Sequence, residues 1–206
     1  MISLAHKTLY VHIRKCGGQS IEEAFCNDLG LDWGTHRRLL MCMEKPEGWY
    51  GAGQRTAHLT AREYLEGDYL PAPLFSSFFK FATVRNPYDW VVSHYFFQQF
   101  HQKISFPKFC LRYLPKAVRK NNPLYASQSS YVVDENNQLL VDQIYQLETL
   151  KSDWEEIREK AGLDTPIGHR NAHQNRDPSL AVWTPELREK IHTLYQEDFN
   201  RFGYPS

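Results

Sequence analysis

The sequence predicts one α/β domain over residues 1–206, with a central, mainly parallel sheet flanked by helices. Three observations predict it. Two short apolar runs, residues 8–13 and 78–84, each stop at a turn that opens a helical pattern. A third run, 142–147, alternates polar and apolar and leads into another helical pattern. Strands alternating with helices imply crossover connections and hence parallel pairing.

The elements follow in order. Thr8-Leu9-Tyr10-Val11-His12-Ile13 is rich in apolar and β-branched residues and ends at Arg14-Lys15-Cys16-Gly17-Gly18. Ile21, Ala24 and Phe25 then share one helical face, with Glu22 and Glu23 suited to a first turn. Residues 30–57 are weakly patterned and read as a surface loop. Thr60-Ala61-Arg62-Glu63 is a capping box that starts a short helix. The run 78–84 is a strand that Arg85-Asn86-Pro87 stops, with Asn86 as cap and Pro87 in the first turn of a helix from Tyr88 to about Gln99. Residues 104–140 hold one or two helices and a loop. A helix over 152–161 ends at Gly162, a natural stop. The last helix starts with Thr184 as cap and Pro185 as first residue, and Leu187, Ile191, Leu194 and Phe202 form its buried stripe.

Composition excludes several classes. Hydrophobic residues make up 42% of the chain, and its 12 Phe, 12 Tyr and 5 Trp exclude wholesale disorder. The 24 Lys and Arg match the 24 Asp and Glu, so no bulk charge drives nucleic-acid binding. Cys16, Cys26, Cys42 and Cys110 form no CxxC pair, which removes a zinc knuckle or thioredoxin-like motif. No apolar run is long enough to span a bilayer, and residues 1–7 do not read as a secretory leader. A cytoplasmic setting is the resulting expectation.

Two strand-to-helix turns carry the chemistry. The first is basic and glycine-rich, so backbone N–H groups at the helix start, the helix dipole, Lys15 and the Ser20 hydroxyl can all meet an anion. Gly17 and Gly18 are expected to let the backbone approach that anion closely. The order GxxxxGK[ST] is missing, so a magnesium–ATP site is not expected. The second turn puts Arg85 past a strand end, with Ser93 two turns into the next helix, again suited to phosphate. The alternative for Arg85 is a local ion pair with Asp89.

Together the two segments resemble the sulfotransferase family. His12-Ile13-Arg14-Lys15-Cys16-Gly17-Gly18-Gln19-Ser20 resembles its phosphosulfate loop, of the form H-I-P-K-T-G-G-T-S. Phe81-Ala82-Thr83-Val84-Arg85-Asn86-Pro87-Tyr88-Asp89-Trp90-Val91-Val92-Ser93 resembles its 3′-phosphate motif, F-x-x-V-R-N-P-x-D-R-x-x-S. The ending, residues 195–204, is similar to that of the carbohydrate-type branch, which includes heparan sulfate 2-O-sulfotransferase. The resemblance runs from residue 9 to residue 204. Arg14 stands where proline is usual, Cys16 where threonine is, and Trp90 where arginine is.

The resemblance implies a P-loop-like, three-layer fold and the donor 3′-phosphoadenosine 5′-phosphosulfate (PAPS), with no metal. Arg14, Lys15, Cys16, Gly17, Gly18, Gln19 and Ser20 would form the cofactor loop, with Lys15 on the oxygen bridging phosphate and sulfate. Arg85 and Ser93 would hold the 3′-phosphate, and a late loop carrying Arg170 and Arg176 would cover the nucleotide. The catalytic pair would be Lys15 and His58, the latter a general base titrating near neutrality, with Glu63 and His94 as reserves. The acceptor would be a hydroxyl of a sugar, glycan or small natural product. Its pocket would come from segments 30–57 and 100–135, with Tyr113 and Tyr125 among its aromatics. His169 and His173 have the i, i+4 spacing of a metal pair but lie in a Gly- and Asn-rich stretch without a third ligand. Cys16 beside Lys15 at a helix start has the setting of a lowered pKa, which keeps a Cys–His hydrolase open. An atypical nucleotide kinase or a non-catalytic nucleotide-binding module would also use such an anion loop.

Overall fold

The computed structural model describes residues 1–36, 56–168 and 177–206. Its sheet has four strands in the order β1 (Ile2–Ser3), β2 (Thr8–Val11), β3 (Phe79–Val84) and β4 (Gln143–Gln146). β2 pairs parallel with β3, and β3 parallel with β4. β1 is an antiparallel edge of two residues, too short for a periodicity reading to reveal. The expected strand over 8–13 ends at Val11, because the chain turns there and Ile13 N–H bonds Val11 C=O at 3.1 Å.

Side-chain alternation sends the sheet's two faces into separate cores. Tyr10, Phe81 and Tyr145 join Ile21, Ala24 and Phe25 of α1 (Gly18–Asp28) and Trp154, Ile157 and Ala161 of α7 (Leu150–Ala161). Leu9, Val11, Ala82 and Val84 join the other core. It takes in Tyr64 of α2 (Ala61–Glu66), Phe75 of α3 (Ala72–Ser77), and Trp90, Val91 and Tyr95 of α4 (Pro87–Phe97). It also takes in Leu114 of α6 (Leu114–Arg119), which continues from α5 (Phe106–Lys108) through a π-helical turn, Phe109–Tyr113.

The caps are those the residue types dictate. Thr60 Oγ1 accepts from Glu63 N–H at 3.1 Å, and Glu63 Oε2 accepts from Thr60 N–H at 2.8 Å. Asn86 Oδ1 accepts from Tyr88 N–H at 2.9 Å. Gly162 closes α7 at φ +69°, where a side chain would be strained.

The carboxyl-terminal helix departs from expectation. It is two helices, α8 (Pro185–Leu194) and α9 (Gln196–Phe202), with Tyr195 at the non-helical φ −122°, ψ 28° between them. The break turns Asp198 into the core, where it is 1% exposed. Its carboxylate accepts from Gln128 N–H at 2.9 Å, Ser129 N–H at 2.8 Å and Ser129 Oγ–H at 2.7 Å. Asp198→Ala would strand two buried amides, at about 1–3 kcal/mol each. Urea unfolding of that variant is expected to show a loss of roughly 2–6 kcal/mol; a loss below about 1 kcal/mol would mean that water replaces the carboxylate.

Candidate active site

The loop after β2 is shaped from inside. Gly17 sits at φ +83°, and a Cβ there would meet Leu147 Cδ1 at 2.5 Å. A Cβ on Gly18 would meet the His12 ring at 2.2 Å. Both glycines are therefore demanded by protein packed against them, where the sequence reading assigned them to ligand approach. Lys15 also takes a left-handed conformation, φ +65°, which costs a non-glycine residue on the order of 1 kcal/mol or more.

His12 is the post behind the loop. Its Nδ1 lies 2.6 Å from Glu22 Oε1, in a pair with side chains only 8% and 1% exposed. Glu22 thus serves His12 from the second turn of α1, whose first turn holds no acidic residue. Gly17 caps α1 without a side-chain hydrogen bond.

The second loop is tied to the first. Gln128, fully buried, accepts from Arg85 N–H at 2.9 Å and donates Nε2–H to Arg85 C=O at 2.8 Å. The same Gln128 Oε1 lies 3.2 Å from Cys16 Sγ. Thr83 Oγ1 donates to Cys16 C=O at 2.7 Å, so Tyr10 OH must donate to Thr83 at 2.6 Å. Trp90 Nε1–H reaches Arg14 C=O at 2.8 Å from α4. Asn86 N–H is held by Glu148, whose other oxygen takes Tyr204 OH.

His58 faces this loop. Its Nδ1 is 3.0 Å from His12 C=O, and a carbonyl only accepts, so Nδ1 carries the proton and Nε2 the lone pair. That is the tautomer a base needs. Titration near neutrality is not found. Burial, then the nearby His12 and Arg14, push the His58 pKa down to about 2, because desolvation and like charge both penalise the imidazolium.

Of the reserves, Glu63 is committed to its capping box. His94 is 1% exposed with neither ring nitrogen hydrogen-bonded, packed on Trp90 and Tyr125. Burial, then Lys15, Arg14 and Arg85, drive its pKa down to about 3. The cations of both loops therefore converge around one imidazole. Cys16 is fully buried and its thiol pKa is raised by that burial, the opposite of an activated nucleophile.

The structure thus brings together Arg14, Lys15, Cys16, Gly17, Gly18, Gln19, Ser20, Arg85 and His58 around the ends of β2 and β3. Ser93 is on α4 but 1% exposed. Arg85 makes no ion pair with Asp89 among the described residues, and Asp89 is exposed. Arg170, Arg176, His169, His173 and Cys42 lie outside the described residues. Among the described residues no group of three or more His, Cys, Asp or Glu is placed to hold a metal, and no helix is long and apolar enough to cross a membrane. Gln128, Glu148 and Phe97 escaped the sequence reading, since none belongs to a motif, and Asp198 was read only as part of the family-like ending. A Ser3–His6–Asp28 relay, with contacts of 2.6 and 3.0 Å, also occurs. Ser3 is fully buried, so this relay ties the β1–β2 turn to α1 and exposes no nucleophile.

The buried His94 sets an acid sensitivity. An unfolded His94 binds a proton near its ordinary 6.5, whereas the folded one stays neutral to about 3. The unfolded state then holds more protons across that window, and stability falls as pH falls through it. Between pH 7.5 and 5.5, one such group accounts for about 1.4 kcal/mol. His94→Leu is expected to remove about that much of the difference in unfolding free energy between the two pH values; an unchanged difference would mean that folded His94 accepts a proton.

A family model described as "Sulfotransferase family" matches residues 1–205. No curated protein and no solved structure matches the chain. A match over virtually every residue, on a chain whose two basic turns are held side by side, establishes that the chain belongs to the sulfotransferase family.

Proposed function

We propose that the protein is a PAPS-dependent O-sulfotransferase, moving a sulfuryl group to a hydroxyl of a sugar, glycan or small natural product. The carrying observation is that Gln128 joins the basic turn that opens α1 to the Arg85 turn, while the charges of Lys15, Arg14 and Arg85 all depress the pKa of one imidazole, His94. A helix N-terminus with three cations fits a polyanion. When bound, PAPS supplies an activated sulfuryl group joined through oxygen to its 5′-phosphate. Backbone N–H groups of residues 17–20 hold that phosphate. Arg85 would hold the 3′-phosphate, with Ser93, buried on α4, as the second residue the family motif assigns to it. Lys15 offsets charge on the bridging oxygen as the sulfuryl group departs. A sulfuryl group carries less charge than a γ-phosphoryl group, so ammonium and amides suffice where kinases need magnesium. The fold reading that accompanies this is one P-loop-like, three-layer domain over residues 1–206, supported by the separate cores on the sheet's two faces.

His58 Nε2 takes the acceptor's proton. A resting pKa of about 2 makes a weak base, but an anion in the adjacent loop raises it, because opposite charge favours the imidazolium. Basicity therefore depends on the donor being in place.

Calorimetry with 3′-phosphoadenosine 5′-phosphate (PAP), against ATP plus magnesium, tests the reading. Metal-free binding of PAP is expected, with little of ATP; the reverse preference would favour a kinase. Arg85→Ala is expected to cost PAP about 1.5–3 kcal/mol and to narrow its margin over adenosine 5′-phosphate. Lys15→Ala is expected to cut turnover roughly 10²–10³-fold with the fold retained. Binding without turnover in the wild type would leave a nucleotide-binding module.

His58→Ala is expected to lower turnover about 10²–10⁴-fold with PAP affinity nearly intact. In the free enzyme His58 is neutral down to about 2, so kcat/KM should show no acidic fall near 6.5 that the variant abolishes. Near-normal turnover of the variant, or a collapse of its PAP affinity, would remove His58 from the role of base; an acidic fall that the variant abolishes would mean that the His58 pKa in the working enzyme lies well above about 2.

A further inference from the structure

We propose that Phe97 is a rest site for the Lys15 ammonium, from which a bound anion must draw it into the glycine loop. This rests on the role given to Lys15 above. Lys15 Nζ lies 3.8 Å from the centroid of the Phe97 ring. Phe97 is the last residue of α4 and is 52% exposed, so core packing does not account for it. It lies one helical turn beyond His94, on the same face. That imidazole is where the charges of Lys15, Arg14 and Arg85 converge. Three like charges at two adjoining loops repel one another, and an aromatic face is a neutral place to hold one of them. Lys15 suits the move, since its charge rides on a flexible four-carbon stem while the two arginines have rigid forks. An anion attracts the ammonium more strongly than a ring face does, because the contact becomes a charge-assisted hydrogen bond. The rest contact is lost when the anion binds, so it works against binding as a population tax does. Phe97 is then a positioning residue that acts through Lys15.

The test is PAP affinity by calorimetry for the wild type, Phe97→Leu, Phe97→Tyr, Lys15→Met and the Lys15→Met/Phe97→Leu double variant. Phe97→Leu is expected to bind PAP roughly 2–5-fold more tightly, the scale of an exposed cation–π contact. Phe97→Tyr, which keeps the ring face, is expected to match the wild type. Lys15→Met is expected to bind more weakly, and adding Phe97→Leu to it should change nothing further. Weaker or unchanged binding in Phe97→Leu, or the same tightening with and without Lys15, overturns the rest site. If Lys15→Met leaves PAP affinity unchanged, or PAP fails to bind the wild type, the role given to Lys15 falls and the rest site falls with it.

Discussion

The side-chain amide of Gln128 is the contact on which the site depends. Parallel strands give no direct bond between the loops at their ends, because each loop departs into its own helix. Gln128 supplies that bond. Its oxygen meets Cys16 Sγ and Arg85 N–H, and its nitrogen meets Arg85 C=O. Being fully buried, it cannot exchange these partners for water without cost. Its own backbone is fixed by Asp198, which α9 turns inward. The separation of the two basic turns is thus set by residues from a third segment and from the chain's last helix.

The three departures from the family motifs belong to the same framework. Trp90 stands where arginine is usual, and its indole N–H is spent on Arg14 C=O. Arg14, where proline is usual, gives up that ring's rigidity; the Trp90 bond and the Cys16 Sγ contact to the same carbonyl, 3.4 Å, restrain the backbone in its place. Cys16, where threonine is usual, keeps similar size and turns its thiol to Gln128. Substituted positions that bond to one another, to a neighbour's carbonyl or to Gln128 preserve loop geometry by other means.

Much of the fold was legible because it is local. An apolar run gave β3 and alternation gave β4, and Thr60, Asn86, Pro87 and Gly162 marked helix ends through groups within a few residues. The break at Tyr195 was not legible, since the stripe Leu187, Ile191, Leu194 continues smoothly and only the tertiary demand of two buried amides turns Asp198 inward. Within the site, Lys15 and Arg85 could be named from motif order and His58 from the family resemblance. Their electrostatics could not. The depression of His58 comes from burial beside His12 and Arg14, and the raised Cys16 pKa from full burial, neither of which is a property of sequence neighbours. The glycines have a reason the sequence could not show, because the atoms that exclude a side chain, those of Leu147 and His12, belong to the protein.

The charge arrangement has a direction built into it. Burial, then cations from both loops, keep His94 neutral, and burial, then His12 and Arg14, keep His58 neutral. An empty site of this kind holds a ready tautomer with almost no basicity. Every negative charge placed in the loop works against those cations and raises the imidazole pKa. Under the sulfotransferase mechanism, the group that is to be attacked would therefore also switch on the base that readies its attacker. Proton removal from the acceptor before the donor arrives would be disfavoured, and water entering the empty site would meet a base unable to activate it. The order of events would then follow from Coulomb's law and burial, with no need for a moving lid.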